Sequence, residues 1–360
     1  MTHHLSRDEA RRIAVRAQLL DAQRPGDVVE VAEQLGWIKI DPTAAITTSE
    51  HAILWARIGW GYEPGQLQKA VEVDRQLFEF DGTLRPMSVL GPLLTVSRHR
   101  RLYADTGTWL AANERFGRDV ISRLRAEGPM PASAIPDTSQ VQRSSESGWY
   151  GANQVPRMLE VLSRLGEVAV VGRQGRLRVW DVVERAYPDG VPDLPLDEAE
   201  RLLAERRLQG LGIAKKSAMS PVGTAGEPVT IEGLPGTYRV DSEALAALDE
   251  DEGGRVAILN PYDVSLYDRR RLRDLFGFEY KVEQFVPKAQ RVYGYFAHPV
   301  LVGDRFMGLL DAEHDRKREV LRVNALHELE QFEPEELEMV HAEIRDLGGW
   351  LGVPVVGLGD

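Results

Sequence analysis

Lys39 and Asp41 flank a single isoleucine in the segment Trp37-Ile38-Lys39-Ile40-Asp41, which stops at Pro42. The segment predicts a short strand, because proline cannot extend a hydrogen-bonded ladder. Residues i and i+2 of a strand project from one face about 6–7 Å apart, so an amine and a carboxylate can both face one reacting group. A carboxylate so placed can stabilise a developing cation and hold an attacking water. A desolvated amine can instead attack an electrophilic carbon and form a Schiff base. The plainest alternative is an ion pair on an edge strand with no chemistry at all. These residues alone leave all three open.

The common catalytic signatures are missing. The chain has no P-loop, no Gly-x-Ser-x-Gly elbow and no His-Glu-x-x-His helix. Its eight histidines do not fall at metal-ligand spacing, and with no cysteine there is no disulfide or thiolate site. Nothing in the sequence calls for a metal or a dinucleotide cofactor. A net charge of −12 argues against a non-specific, histone-like nucleic-acid binder, yet basic residues cluster at 98–101, 173–178, 215–216, 269–273 and 316–318. Each cluster alone reads more simply as a solvated face. At 360 residues, 43% hydrophobic and 28% charged, the chain suits two or three globular modules. No signal-like or membrane-spanning apolar run occurs, so a soluble, cytoplasmic, monomeric protein is expected.

The elements that must position these residues are legible in part. Ser6 caps a helix through residues 10–20, and a second helix with Val28, Val31, Ala32 and Leu35 on one face ends at Gly36. A third helix covers residues 49–58. From about residue 116, helices are followed by a long amphipathic helix over 149–165, with Pro156 marking its possible first turn. A hairpin over 167–180 comes next, the order of a winged helix-turn-helix. In that reading Trp149 and Arg157 lie on the recognition helix, and Arg173, Arg176 and Arg178 lie on the wing. Later segments suggest strands at 229–231, 236–240, 256–259, 291–296 and 305–310, and a closing helix at 334–347. The strand at 291–296 would put Arg291, Tyr293 and Tyr295 on one face, suited to holding phosphate and stacking on bases.

Three sets of segments together resemble the winged-helix crosslink-repair DNA glycosylases, the YcaQ/AlkZ-like family. The first is Leu35-Gly-Trp-Ile-Lys-Ile-Asp-Pro42 with Leu54-Trp-Ala-Arg-Ile-Gly59. The second is Arg178-Val-Trp-Asp-Val-Val-Glu-Arg185. The third holds Asn260-Pro-Tyr-Asp263, Asp268-Arg-Arg-Arg271, Leu275-Phe-Gly-Phe-Glu-Tyr280, Glu283-x-Phe-Val-Pro287, Arg291-Val-Tyr-Gly-Tyr295, Pro299-Val-Leu301, Asp311 and Asp315-Arg-Lys317.

The resemblance implies an α+β fold of tandem winged-helix units with a mixed α/antiparallel-β C-terminal region. The expected divisions fall at 1–115, 116–190 and 191–360. It implies hydrolysis of the N-glycosidic bond of alkylated purines, crosslinked ones included, in double-stranded DNA. The family's Gln-apolar-Gln/Asp motif maps to Lys39-Ile40-Asp41, with Asp41 matching and Lys39 departing. On the following helix His51, Trp55 and Arg57 keep the pattern implied for DNA contact, whereas Thr48 and Glu50 depart from it. Read by themselves, Trp37 and Trp55 look more like core residues. The competing function is a non-catalytic winged-helix DNA-binding or regulatory protein whose glycosylase site has decayed.

Overall fold

The computed structural model describes residues 2–142, 153–215, 222–248, 250 and 253–358. It divides into two compact units, residues 1–67 with 204–360, and residues 68–203. The N-terminal segment therefore packs with the C-terminal region, in place of the separate 1–115 region that the sequence suggests.

In the first unit, helix Arg7–Ala17 starts at a reciprocal cap. Ser6 Oγ accepts the Glu9 amide at 3.2 Å, and Glu9 Oε2 accepts the Ser6 amide at 2.7 Å. Helix Val28–Leu35 is capped by Asp27 and ends at Gly36, whose φ of 73° needs a residue without Cβ. Four strands order as His3–Leu5, Glu227–Ile231, Tyr238–Val240 and Ile213–Lys215. Five more order as Val256–Ile258, His298–Val302, Arg305–Asp315, Val320–Glu328 and Val355–Val356. Pairing is antiparallel except at His3–Leu5 with Glu227–Ile231 and Val320–Glu328 with Val355–Val356. One core joins Val15, Leu20 and Ala56 to Leu259, Leu301 and Leu309, which locks the Ser49–Ile58 helix onto the five-stranded sheet.

Two expectations fail here. The strand at 37–41 shrinks to Ile38–Lys39. Residues 291–297 form no strand. The Glu283 carboxylate accepts the amides of Val292 and Tyr293 at 2.9 and 2.8 Å, removing donors a ladder would use, and Gly294 turns the chain at φ 111°.

In the second unit, helix Glu114–Glu127 leads to strand Met130–Pro131, a short 3-10 turn at Ala132–Ala134, helix Gln154–Arg164 and the hairpin Val168–Gln174/Leu177–Val182. The hairpin turns through Gly175 (φ 59°) and Arg176, and Met130–Pro131 pairs with its second strand. Strand Leu77–Phe80 lies along its first strand, with Glu79 opposite Val170. The long helix begins at Gln154, so Pro156 sits in its first turn; Trp149 lies outside the described residues. No helix among the described residues is long and apolar enough to cross a membrane.

Candidate active site and nucleic-acid contacts

Ser49 opens its helix and is fully buried. Its Oγ donates to the Lys39 carbonyl at 3.0 Å and its amide donates to the Asp41 carbonyl at 3.4 Å. One residue therefore clasps both members of the Lys-Ile-Asp segment to the helix start. Beyond it, Asp41 Oδ1 accepts the Thr43 amide at 2.9 Å, a local turn that fixes the carboxylate's direction.

Tyr262 completes this corner. In Asn260-Pro-Tyr-Asp263, Asn260 Oδ1 accepts the Tyr262 amide at 2.9 Å and the Asn260 carbonyl accepts the Asp263 amide at 2.8 Å. The turn aims the two side chains at different tasks. Asp263 is fully buried and takes two guanidinium bonds from equally buried Arg57, at 2.6 and 2.9 Å. Burial works to raise the Asp263 pKa, but Arg57 and Ser265 outweigh it and hold the carboxyl below its ordinary value. Tyr262 stacks edge-on with Phe296 at 5.5 Å and receives a hydrogen bond from Gln284 Nε2. Burial first, and the neighbouring Asp41 carboxylate second, raise the pKa of its phenol, which therefore stays protonated.

Two concavities adjoin the corner. One of about 700 Å³ is lined by Trp37, Lys39, Tyr262, Tyr267, Arg269 and Arg270, among others. The larger, about 960 Å³, takes Pro42, Thr43, Ala44 and Ala45 from the loop after Asp41, with Lys288, Arg291, Tyr295 and Asp311 among its other walls. The amide of His314 donates to the Ala45 carbonyl at 2.8 Å and pins that loop to the sheet. Lys39 and Asp41 thus meet around Tyr262, the third residue of the Asn260-Pro-Tyr-Asp263 turn. The Asn-Pro turn signal in the sequence was the clue to it.

The helix after the segment corrects other expectations. Trp55 is 2% exposed and packs against Trp350 with ring centroids 6.0 Å apart, so it is core and not a DNA contact. Arg57 is corrected likewise, because its guanidinium is consumed by Asp263 and the carbonyls of Gln18 and Ile53. His51 is half-buried and its Nδ1 lies 2.6 Å from the Tyr62 hydroxyl. Burial lowers its pKa against an opposing pull from Glu50, which favours the neutral ring. The two departures at the start of this helix bond to each other, Thr48 Oγ1 donating to Glu50 Oε1 at 2.8 Å.

Arg291, Tyr293 and Tyr295 do not share a face. Arg291 donates to the Val286 carbonyl at 2.8 Å and stands 5.0 Å from the ring of Tyr295, which is 47% exposed; both line the larger cavity. Tyr293 packs edge-on against His327 at 5.4 Å and lines neither cavity.

On the hairpin, Arg173 and Arg178 are directly opposite across the ladder, where two like charges repel. Glu79, nearly buried, relieves this by binding both, at 2.6 and 2.5 Å, and Glu160 also holds Arg178. Arg176, at the turn, is exposed and has no ion-pair partner among the described residues. Arg157 stacks over Trp109 at 5.3 Å.

Comparison with known proteins is consistent with this layout. Residues 32–350 match the family described as DNA glycosylase AlkZ-like. The structure of the Streptomyces sahachiroi DNA glycosylase AlkZ aligns with a TM-score of 0.59, covering 99% of each chain at 16% identity, which is a likeness of fold. With most of its length inside the family match, the chain belongs to the AlkZ-like DNA glycosylase family.

Proposed function

We propose that the protein hydrolyses the N-glycosidic bond of alkylated, N7-type purines in double-stranded DNA, with Asp41 as the catalytic carboxylate. One observation carries this reading: the loop leaving Asp41 forms a wall of a large polar cavity, with Tyr262 beside the carboxylate. An N7-alkylated purine already carries positive charge and departs without a general acid. The enzyme must then stabilise an oxocarbenium-like sugar and orient a water, and one fixed carboxylate does both. Tyr262, kept protonated, can donate to that carboxylate or to the water. Lys39 acts as a supporting cation near the site rather than as a nucleophile, in our reading. The helix Gln154–Arg164 and its hairpin act as a winged helix that holds duplex DNA, through Arg157 and Arg176.

A second reading has one observation in its favour. Lys39 brings a positive charge to a concavity that Arg269 and Arg270 also line, opposing a sugar cation, as a decayed site would. Release of free base from an N7-methylguanine duplex decides between the two. Release supports hydrolysis, whereas inactivity on several alkylated duplexes with intact DNA binding supports the non-catalytic protein. Borohydride treatment during turnover tests Lys39 separately. No trapped adduct is expected, and one that vanished in Lys39→Gln would make the lysine a nucleophile.

A further inference from the structure

Two of the chain segments that line the larger cavity bring it charges of opposite sign. Lys288 and Arg291 come from the connection between strands Val256–Ile258 and His298–Val302, and Asp311 and Glu313 come from strand Arg305–Asp315. Of the two carboxylates, Glu313 is already paired with Arg322 at 3.8 Å. Asp311 has no ion pair with Lys or Arg among the described residues, and the Asn324 side chain hydrogen-bonds it.

Two local irregularities place Asp311 in that wall. The ladder steps from Asp311 opposite Ala325 to Ala312 opposite Val323, so Asn324 has no opposite number and bulges into the cavity lining. Facing the bulge is Gly294, at φ 111°. A Cβ there would fall 2.4 Å from the Asp311 carboxylate carbon, so only glycine leaves the carboxylate its place. Burial raises the Asp311 pKa, with Glu313 adding to the effect, so its ionised form gains more from a bound cation than an open carboxylate would.

A nucleotide with an alkylated base has the complementary pattern, a phosphate at one end and a cationic ring at the other. Tyr295, next to Gly294 and half exposed, offers that ring a stacking face. At about 960 Å³ the cavity also has room for a bulky substituent. We propose that Asp311 is a specificity-determining residue of this site, recognising the positive charge of an alkylated purine seated in the cavity. The proposal rests on the reading of Asp41 as the catalytic carboxylate of the same site.

The test reads binding without hydrolysis. A duplex carrying 2′-fluoro-N7-methylguanosine keeps its glycosidic bond, because fluorine disfavours the sugar cation. Wild-type protein is expected to bind it about tenfold tighter than the same duplex with guanine, and Asp311→Asn is expected to bring the ratio close to one. A wild-type ratio of one, or an Asp311→Asn variant with the wild-type ratio, would overturn the proposal. A second titration needs no variant: N7-methylguanosine 5′-monophosphate should bind wild-type protein more tightly than guanosine 5′-monophosphate, and equal affinities would also overturn it. Failure of the Asp41 assignment shows separately, in base release from an unfluorinated duplex, and leaves these ratios untouched.

Discussion

The hairpin 168–182 and the irregular segment 291–297 each set an arginine beside an aromatic ring, and they use it in opposite ways. In the hairpin, Arg178 lies 5.9 Å from the ring of Trp180, which is 4% exposed, and its guanidinium is held by Glu79 and Glu160. In the irregular segment, Arg291 lies 5.0 Å from a half-exposed Tyr295, and among the described residues no carboxylate pairs with it. The difference comes from Glu79, supplied by a strand about a hundred residues away in sequence and aligned with the hairpin. An arginine on a regular, well-placed strand can thus be structural, while one on a bent loop stays available to a ligand. Arg57, on helix Ser49–Ile58, is the extreme of the structural kind, with no exposure at all.

This comparison predicts a graded series. Arg57→Ala should cost most, about 3–5 kcal/mol of unfolding free energy, because it leaves Asp263 charged and buried alone. Chemical denaturation measures it, and a loss below about 1 kcal/mol would mean that the site relaxes or admits water.

Acid should act next through His298, a buried residue of the same five-stranded sheet, with Nδ1 unpartnered. Burial depresses its pKa from 6.5 to about 4. Between those values the unfolded chain binds the proton and the folded one does not, so stability falls as pH drops through that window. The loss amounts to roughly 3 kcal/mol by the time pH reaches the folded pKa. His298→Gln should flatten that part of the pH–stability curve; an unchanged slope would assign it to other groups.

Arg178→Ala should cost about 1–3 kcal/mol, since Glu79 and Glu160 lose a partner in a poorly solvated place. The smallest stability effects belong to Arg176→Ala and Arg291→Ala, within about 0.5 kcal/mol, and their signature is in binding. Each should lower the log–log salt slope of DNA affinity by about 1. If Arg178→Ala lowered the slope and left stability alone, the contrast between the two regions would be broken.

Much of the scaffold was legible because it is periodic or capped. Ser6 and Gly36 bound helices where their chemistry says they should, and the Val168–Val182 hairpin follows from two β-branched runs around a glycine turn. The cavity walls were not legible for the opposite reason. Alternation at 291–296 mimics a strand, and the Glu283 carboxylate, by taking two amides, together with the turn at Gly294 prevents one. Likewise the bulge at Asn324 and the role of Tyr262 depend on which segments meet, which local patterning does not encode. Lys39 and Asp41 were singled out by their spacing together with the family motif that maps onto them; Tyr262 and the bulge that line the neighbouring walls had no such signal.

The central claim, that Asp41 supplies the catalytic charge, is tested most directly by single-turnover release of N7-methylguanine from duplex DNA by wild type and Asp41→Asn. The substitution keeps the shape and removes the charge. The account predicts a loss of at least about 100-fold in the rate of release, the scale of removing one preorganised electrostatic group, with the affinity for undamaged duplex retained. An Asp41→Asn protein that releases base at the wild-type rate would contradict it and move the chemistry to another residue.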